Sequence, residues 1–284
     1  MKHISLLFLF IILFLSVSAQ SIAKRVDIPN IKAWSSPDIL IIEGVVEKER
    51  YVNNTAYYGI DVKKVHKPAK AHNPGRITVK NSYYHSTVAI RLNKGENVIL
   101  FVKEIGNGYY ASLREINLDT QYGKETGAGV KLFLGLMSIE DSKRSAECIN
   151  SYDKGLSLPE KKAILDVMWE TRSPAYSDTL LDMIKSENDP RLRSWAVVVF
   201  TNVSNGERAK ELVYLLDDPN YDVKRQLLVL FGSKKIEEAV PKIESLLKEN
   251  LSEMEDRQAD SLRKIAKEAL DKISGKSTTS YWVY

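Results

Sequence analysis

The chain has one cysteine, Cys148, in 284 residues. A lone thiol makes no intrachain disulfide, so stability must come from packing, and Cys148 reads as a buried apolar residue of a helix. Catalytic signatures are missing too. There is no Gly-x-Ser-x-Gly, no His-Glu-x-x-His and no phosphate loop, and Gly127-Ala128-Gly129 lacks the rest of a dinucleotide fingerprint. Histidine is scarce, at four residues. His66, His72 and His85 show no tight ligand spacing, which points to surface positions and no metal or other cofactor. Asp217-Asp218 looks like a catalytic carboxylate pair, but it opens a repeat and reads as capping residues. No apolar run reaches the roughly 20 residues that span a bilayer. Charge of one sign is also lacking, with a net value of +4. Residues 20–150 carry five more Lys/Arg than Asp/Glu, and residues 151–284 two fewer. That asymmetry is too mild for a dedicated nucleic-acid binder.

What is present starts with a leader. Lys2 and His3 precede an apolar run from Leu6 to Leu15, and Val17-Ser18-Ala19 offers small residues before Gln20. Residues 1–19 therefore read as a secretory signal peptide, with no stable membrane span after cleavage. The residue directly after the cleavage point is Gln20 and not a cysteine, which argues against lipoprotein processing. Export without disulfides suits a periplasmic or secreted protein of a bacterial envelope. Residues 20–37 form a connector holding Pro29, Ser35-Ser36 and Pro37.

From residue 38 the apolar period is two. Strands are expected at Asp38–Val46, with Gly44 marking a bulge or bend, and at Tyr57–Val65, Ile77–Val79 and Asn97–Lys103. A further short strand is expected within Thr87–Leu92. Asn107-Gly108 is a hairpin turn into Tyr109–Leu113. Short strands in this order over residues 38–125 predict a small antiparallel β-barrel. Ile42-Glu43-Gly44-Val45-Val46, Val62-x-x-Val65 and Lys94-Gly95-Glu96-x-Val98-x-Leu100-Phe101-Val102 resemble the OB fold. More narrowly, they resemble the secreted modules akin to netrin-like domains and metalloproteinase inhibitors. The inhibitors of that group chelate the protease metal through an N-terminal Cys, which this chain does not have.

From Gly127 the period becomes helical, and the chain repeats itself. Leu212, Leu215 and Leu216 recur 31 positions later as Ile243, Leu246 and Leu247. Leu192, Ala196, Val199 and Phe200 recur at the same offset as Val223, Leu227, Leu230 and Phe231. A period of this length, with two short amphipathic helices per unit, predicts an α-solenoid over 126–274. Asp218-Pro219, Val223-Lys224, Leu227, Leu230, Ala239-Val240-Pro241, Ile243 and Leu246-Leu247 resemble HEAT-like repeats of the short bacterial type. That resemblance implies a protein-interaction scaffold with no catalytic residues of its own. Asp189-Pro190 and Asp218-Pro219 each open a unit, and Glu253–Ile273 is a closing helix. Residues 275–284 form a Ser/Thr-rich tail expected to be flexible.

The fold class expected is thus two-domain β + α, an OB-like barrel followed by a solenoid of HEAT-like helix pairs. The function expected is that of an exported, non-catalytic scaffold or adaptor whose partner is another protein. The alternatives are a glycan or single-stranded nucleic-acid binder working through the barrel, with export favouring glycan, and a protease inhibitor by analogy to the barrel's relatives. Three tyrosine doublets, Tyr57-Tyr58, Tyr83-Tyr84 and Tyr109-Tyr110, recur in the barrel. Neighbours on a strand point to opposite faces, so a doublet in a strand should bury one ring and expose the other. Exposed rings near Lys63, Lys80 and Arg91 would stack on bases or sugars. In the repeats, the second helix of each unit should present Lys210, Glu211, Tyr214 and Lys242.

Overall fold

This computed structural model describes residues 36–52, 55–67, 74–82, 92–152, 155–204, 206, 208–249 and 255–276. The expected leader, most of the connector, the Thr87–Arg91 part of the expected short strand, Tyr83, Tyr84, His72, His85 and Arg91 lie outside these residues.

Five strands form a closed barrel: β1 (Ile39–Val52), β2 (Thr55–Lys67), β3 (Arg76–Ser82), β4 (Asn97–Gly106) and β5 (Tyr109–Asn117), in the order β1-β2-β3-β5-β4. Every pairing is antiparallel except β3 with β5, which is parallel. The purely antiparallel expectation is corrected there, because the chain crosses from β3 past β5 to build β4 first. Gly44 sits at a register shift on β1, as expected. A Cβ there would stand 2.5 Å from the Asp61 carbonyl oxygen, so only glycine lets β2 approach this closely.

The period of two explains why the barrel can be covered on its outside. Leu40, Ile42, Val98, Leu100 and Val102 point inward with Tyr58, Ile60 and Val79. The intervening Ile39, Ile41, Ile99 and Phe101, together with Ile116, point outward and join the core of the helices. Strands buried on both faces read as continuous apolar runs, which is what residues 98–102 are.

Eight α-helices follow among the described residues: α1 (Gln121–Met137), α2 (Asp141–Ser151), α3 (Leu158–Thr171), α4 (Ser177–Ser186), α5 (Pro190–Val203), α6 (Tyr221–Lys234), α7 (Val240–Lys248) and α8 (Asp256–Ile273). Helix α1 starts six residues ahead of Gly127, where helical periodicity was expected to take over. It packs on β5 and β2, and also on α3. Contacts then run from α3 to α5, from α5 to α6 and from α6 to α8. The elements between them lie alongside, with α2 on α3, α4 on α5 and α7 on α8. Ala209–Asp217, expected as an ordinary helix, is a 3-10 helix against α6. Its tighter winding still buries Ala209, Leu212 and Leu216.

The helix starts follow local chemistry. Ser157 and Glu160 form a capping box ahead of α3, with Pro159 in its first turn. Asp189 caps α5 by accepting from Arg191 N at 2.8 Å, with Pro190 in the first turn. Asp218-Pro219 departs from this pattern. Asn220 is the cap of α6, while Asp218 is buried and accepts two hydrogen bonds from Arg193, from Nε at 3.0 Å and from Nη2 at 2.7 Å.

Candidate functional site

The barrel wall formed by β1, β2, β3 and β5 holds the two described tyrosine doublets, one on β2 and one on β5. Tyr58 and Tyr110 are buried among the inward residues. Tyr57 is half-buried and Tyr109 is 37% exposed. Each described doublet therefore splits across the wall, as strand alternation requires. The two outward rings meet edge to face, with centroids 6.0 Å apart and planes inclined at 68°. Register explains the meeting. Tyr57 is opposite Lys80 on β3, and Lys80 is opposite Ala111 on β5, two residues along from Tyr109.

Arg50 completes the arrangement. It pairs with Tyr57 across β1–β2, and its guanidinium carbon lies 5.2 Å from the centre of the Tyr57 ring. Sequence reasoning missed it, although the signal was present. With Val52 opposite Thr55, strand register alone sets Arg50 opposite Tyr57. Tyr51 and Val52, at the same end of β1, are also exposed. An edge-to-face pair with a cation over one ring is a preorganised, partly exposed aromatic surface. Lys63 is not part of it. It lies six residues along β2 from Tyr57, roughly 20 Å at strand rise, where it pairs with Asp61.

The helical candidates lie elsewhere. Lys210 and Tyr214 are exposed on the 3-10 helix. Lys242 of α7 reaches Asp217 at 2.6 Å. Glu211 accepts from Arg208 Nε at 2.7 Å and from Lys185 of α4 at 2.8 Å. These two cations hold its carboxyl far below the usual carboxylate range, at about 2. Charges here tie neighbouring elements together, and Tyr214 is the large apolar side chain they leave exposed, at 53%.

Three buried or half-buried groups, Asp166, Cys148 and His66, also have structural partners. Asp166 is 2% exposed; burial pushes its pKa upward, against Lys162 and the Trp195 indole. Its Oδ1 accepts from Trp195 Nε1 at 2.9 Å and from Lys162 at 3.0 Å, and its Oδ2 from Lys162 at 2.7 Å. Both oxygens are thus held by structural donors. Cys148 is sealed, its thiol pushed up to about 12 by burial, so it is not a nucleophile at neutral pH. His66 corrects the expectation of surface histidines. Its side chain is 5% exposed and bonded to Glu43. Among the described residues, no three His, Cys, Asp or Glu side chains converge as a metal site, and no helix is long and apolar enough to cross a membrane. An open cleft of about 650 Å³ lies between α7 and α8, lined by Val240, Leu270 and Ile273 with Glu244, Lys267 and Lys276. Compared with known proteins, the chain matches no family model and shows no significant similarity to a curated protein sequence.

Proposed function

We propose that the protein is an exported, non-catalytic interaction protein, in which HEAT-like helix pairs form a rigid support for an OB-like barrel and the partner is another protein. The observation that carries this reading is the shared core. Ile39, Ile41, Ile99, Phe101 and Ile116 of the barrel pack with Val130, Phe133 and Leu134 of α1, so the module is fixed to its support rather than tethered. Rigid surfaces recognise partners with little ordering cost. The two-row succession of helices and the 31-residue recurrence support the HEAT-like assignment. Partner contact would run through the exposed Tyr214 and Lys210 or through the tyrosine face of the barrel. Crosslinking capture from envelope extract tests it, with the full chain as bait. A protein retained by the wild type and lost with Tyr214→Ala or Tyr109→Ala is expected; capture of no protein overturns the reading.

One observation favours a second reading. The contact of Tyr57 with Tyr109 beneath Arg50 suits a sugar ring or an unstacked base. Binding on an oligosaccharide array or to short single strands, lost with Tyr57→Ala and Tyr109→Ala, would establish it. Absence of binding to both ligand classes would remove it.

A further inference from the structure

Glu43 marks the place where the apolar seam between barrel and helices meets water. Ile39 and Ile41 precede it on the outward side of β1 and enter the helix core. Two residues further on, the same face carries a carboxylate. Its Oε1 accepts from Lys131 Nζ of α1 at 2.9 Å. Its Oε2 lies 3.1 Å from Nε2 of His66 on β2. Three elements thus meet through three side chains, 25% exposed for Glu43, 43% for Lys131 and 5% for His66.

The charge balance of this cluster depends on the ring. With a neutral imidazole donating from Nε2, one carboxylate faces one ammonium and the bonds are complementary. The charged groups facing the ring are Glu43 of β1, Lys64 of its own strand and Lys131 of α1. A proton on Nδ1 adds a cation at a position nearly closed to water. Glu43 then faces two cations with one charge, and Lys64 and Lys131 both repel the newcomer.

We propose that Glu43, His66 and Lys131 form an acid-sensitive latch that holds α1 on the barrel while the imidazole is neutral and loosens when it takes a proton. The titration directions agree with that geometry. Burial, above all, holds His66 below its ordinary value, with Lys64 and Lys131 acting the same way and Glu43 opposing. Glu43 is also lowered: burial works against its charge, but Lys131 and His66 outweigh it. A histidine depressed in the folded state binds its proton more weakly there than in the unfolded chain. Its stabilising contribution is therefore complete above the ordinary value of about 6.5 and is lost as pH falls through the folded value. Loosening this seam uncovers Ile41, Ile99 and Phe101, so acid exposes apolar surface that neutral pH hides.

The test compares the full-length wild type with His66→Gln, whose amide keeps a donor for Glu43 but does not titrate. Hydrogen exchange is followed in residues 121–137 and 39–43 at about pH 7.5 and 5.5, corrected for the intrinsic pH dependence of exchange. Exchange in both segments should rise severalfold on acidification in the wild type and stay level in His66→Gln. An equal rise in the variant overturns the latch. If the variant fails to fold, the wild-type ring decides by NMR titration, its signal assigned with His3→Gln, His72→Gln and His85→Gln. A midpoint below the ordinary histidine range supports the latch, and one at or above that range overturns it.

Discussion

Arg193 and Asp218 show how one residue's burial sets the worth of its charge. The carboxylate is 5% exposed and the guanidinium 15%. Arg193 also donates from Nη1 to the carbonyls of Glu187 at 2.8 Å and Asn188 at 2.9 Å, so one side chain ties the entry of α5 to the entry of α6. Asp218→Ala leaves that cation closed in without its counter-charge, and the expected cost is about 3–5 kcal/mol. Arg191→Ala removes a partner from an exposed pair, with side chains 56% and 26% exposed, and should cost less than about 1 kcal/mol. Urea midpoints of both variants check the contrast; equal losses would refute it. The sequence writes Asp-Pro at both places. The second use was not legible, because Asp218 differs from Asp189 only in having an arginine 25 positions upstream folded against it.

At the scale of the element, α1 carries glycines that helix propensity alone would judge as defects. Replacing a helical Gly by Ala ordinarily gains about 1 kcal/mol. At Gly123 a Cβ would lie 1.6 Å from the Asn117 carbonyl oxygen, and at Gly127 it would lie 2.4 Å from a Leu118 methyl. Gly135 meets nothing within 4 Å. Gly135→Ala should therefore stabilise the protein by roughly 0.5–1 kcal/mol, while Gly123→Ala should destabilise it by more than about 2 kcal/mol by forcing the helix off the barrel. Thermal unfolding of the two variants settles the signs. The 3-10 helix is governed by charge as well. Glu211, lowered to about 2 by Arg208 and Lys185, contributes stability that is present above its ordinary value of 4.5 and lost as pH falls toward about 2. Glu211→Gln should be the less stable protein near pH 5, and the difference should vanish by about pH 2, as read from melting temperatures across that window. The existence of these elements was legible from period two and the 31-residue recurrence. Their pairing was less so: the parallel contact of β3 with β5 is non-local, and the triplet Leu212, Leu215, Leu216 has the same spacing in a 3-10 helix as in an α-helix.

At the scale of the whole molecule, barrel and helices share one hydrophobic core. The connection from β5 to α1 is only Leu118–Thr120, and each residue is held. Leu118 N donates to Asn97 O at 2.7 Å, Asp119 accepts from Asn97 N at 2.8 Å, and Thr120 caps α1 by accepting from Gly123 N at 2.9 Å. Across the seam lie Ile39, Ile41, Ile99, Phe101 and Ile116. At about 2 kcal/mol for each buried side chain, their sum is comparable with the entire net stability of a typical domain, about 5–15 kcal/mol. Separate unfolding of the barrel would have to offset that loss. Which barrel residues line the seam was not legible in the sequence, because the outward isoleucines look like any strand residue until a helix covers them. The same reason hid the cluster at His66, whose partner Glu43 is also bound by Lys131, 65 positions later than the histidine. Calorimetry of the full chain at neutral pH should therefore give a single transition, with calorimetric and van't Hoff enthalpies in agreement. Ile99→Asp, which places a charge in the seam, should lower the barrel's and the helices' stability together. Two transitions, or a loss confined to the barrel in residue-resolved hydrogen exchange, would show instead that the helices stand without it.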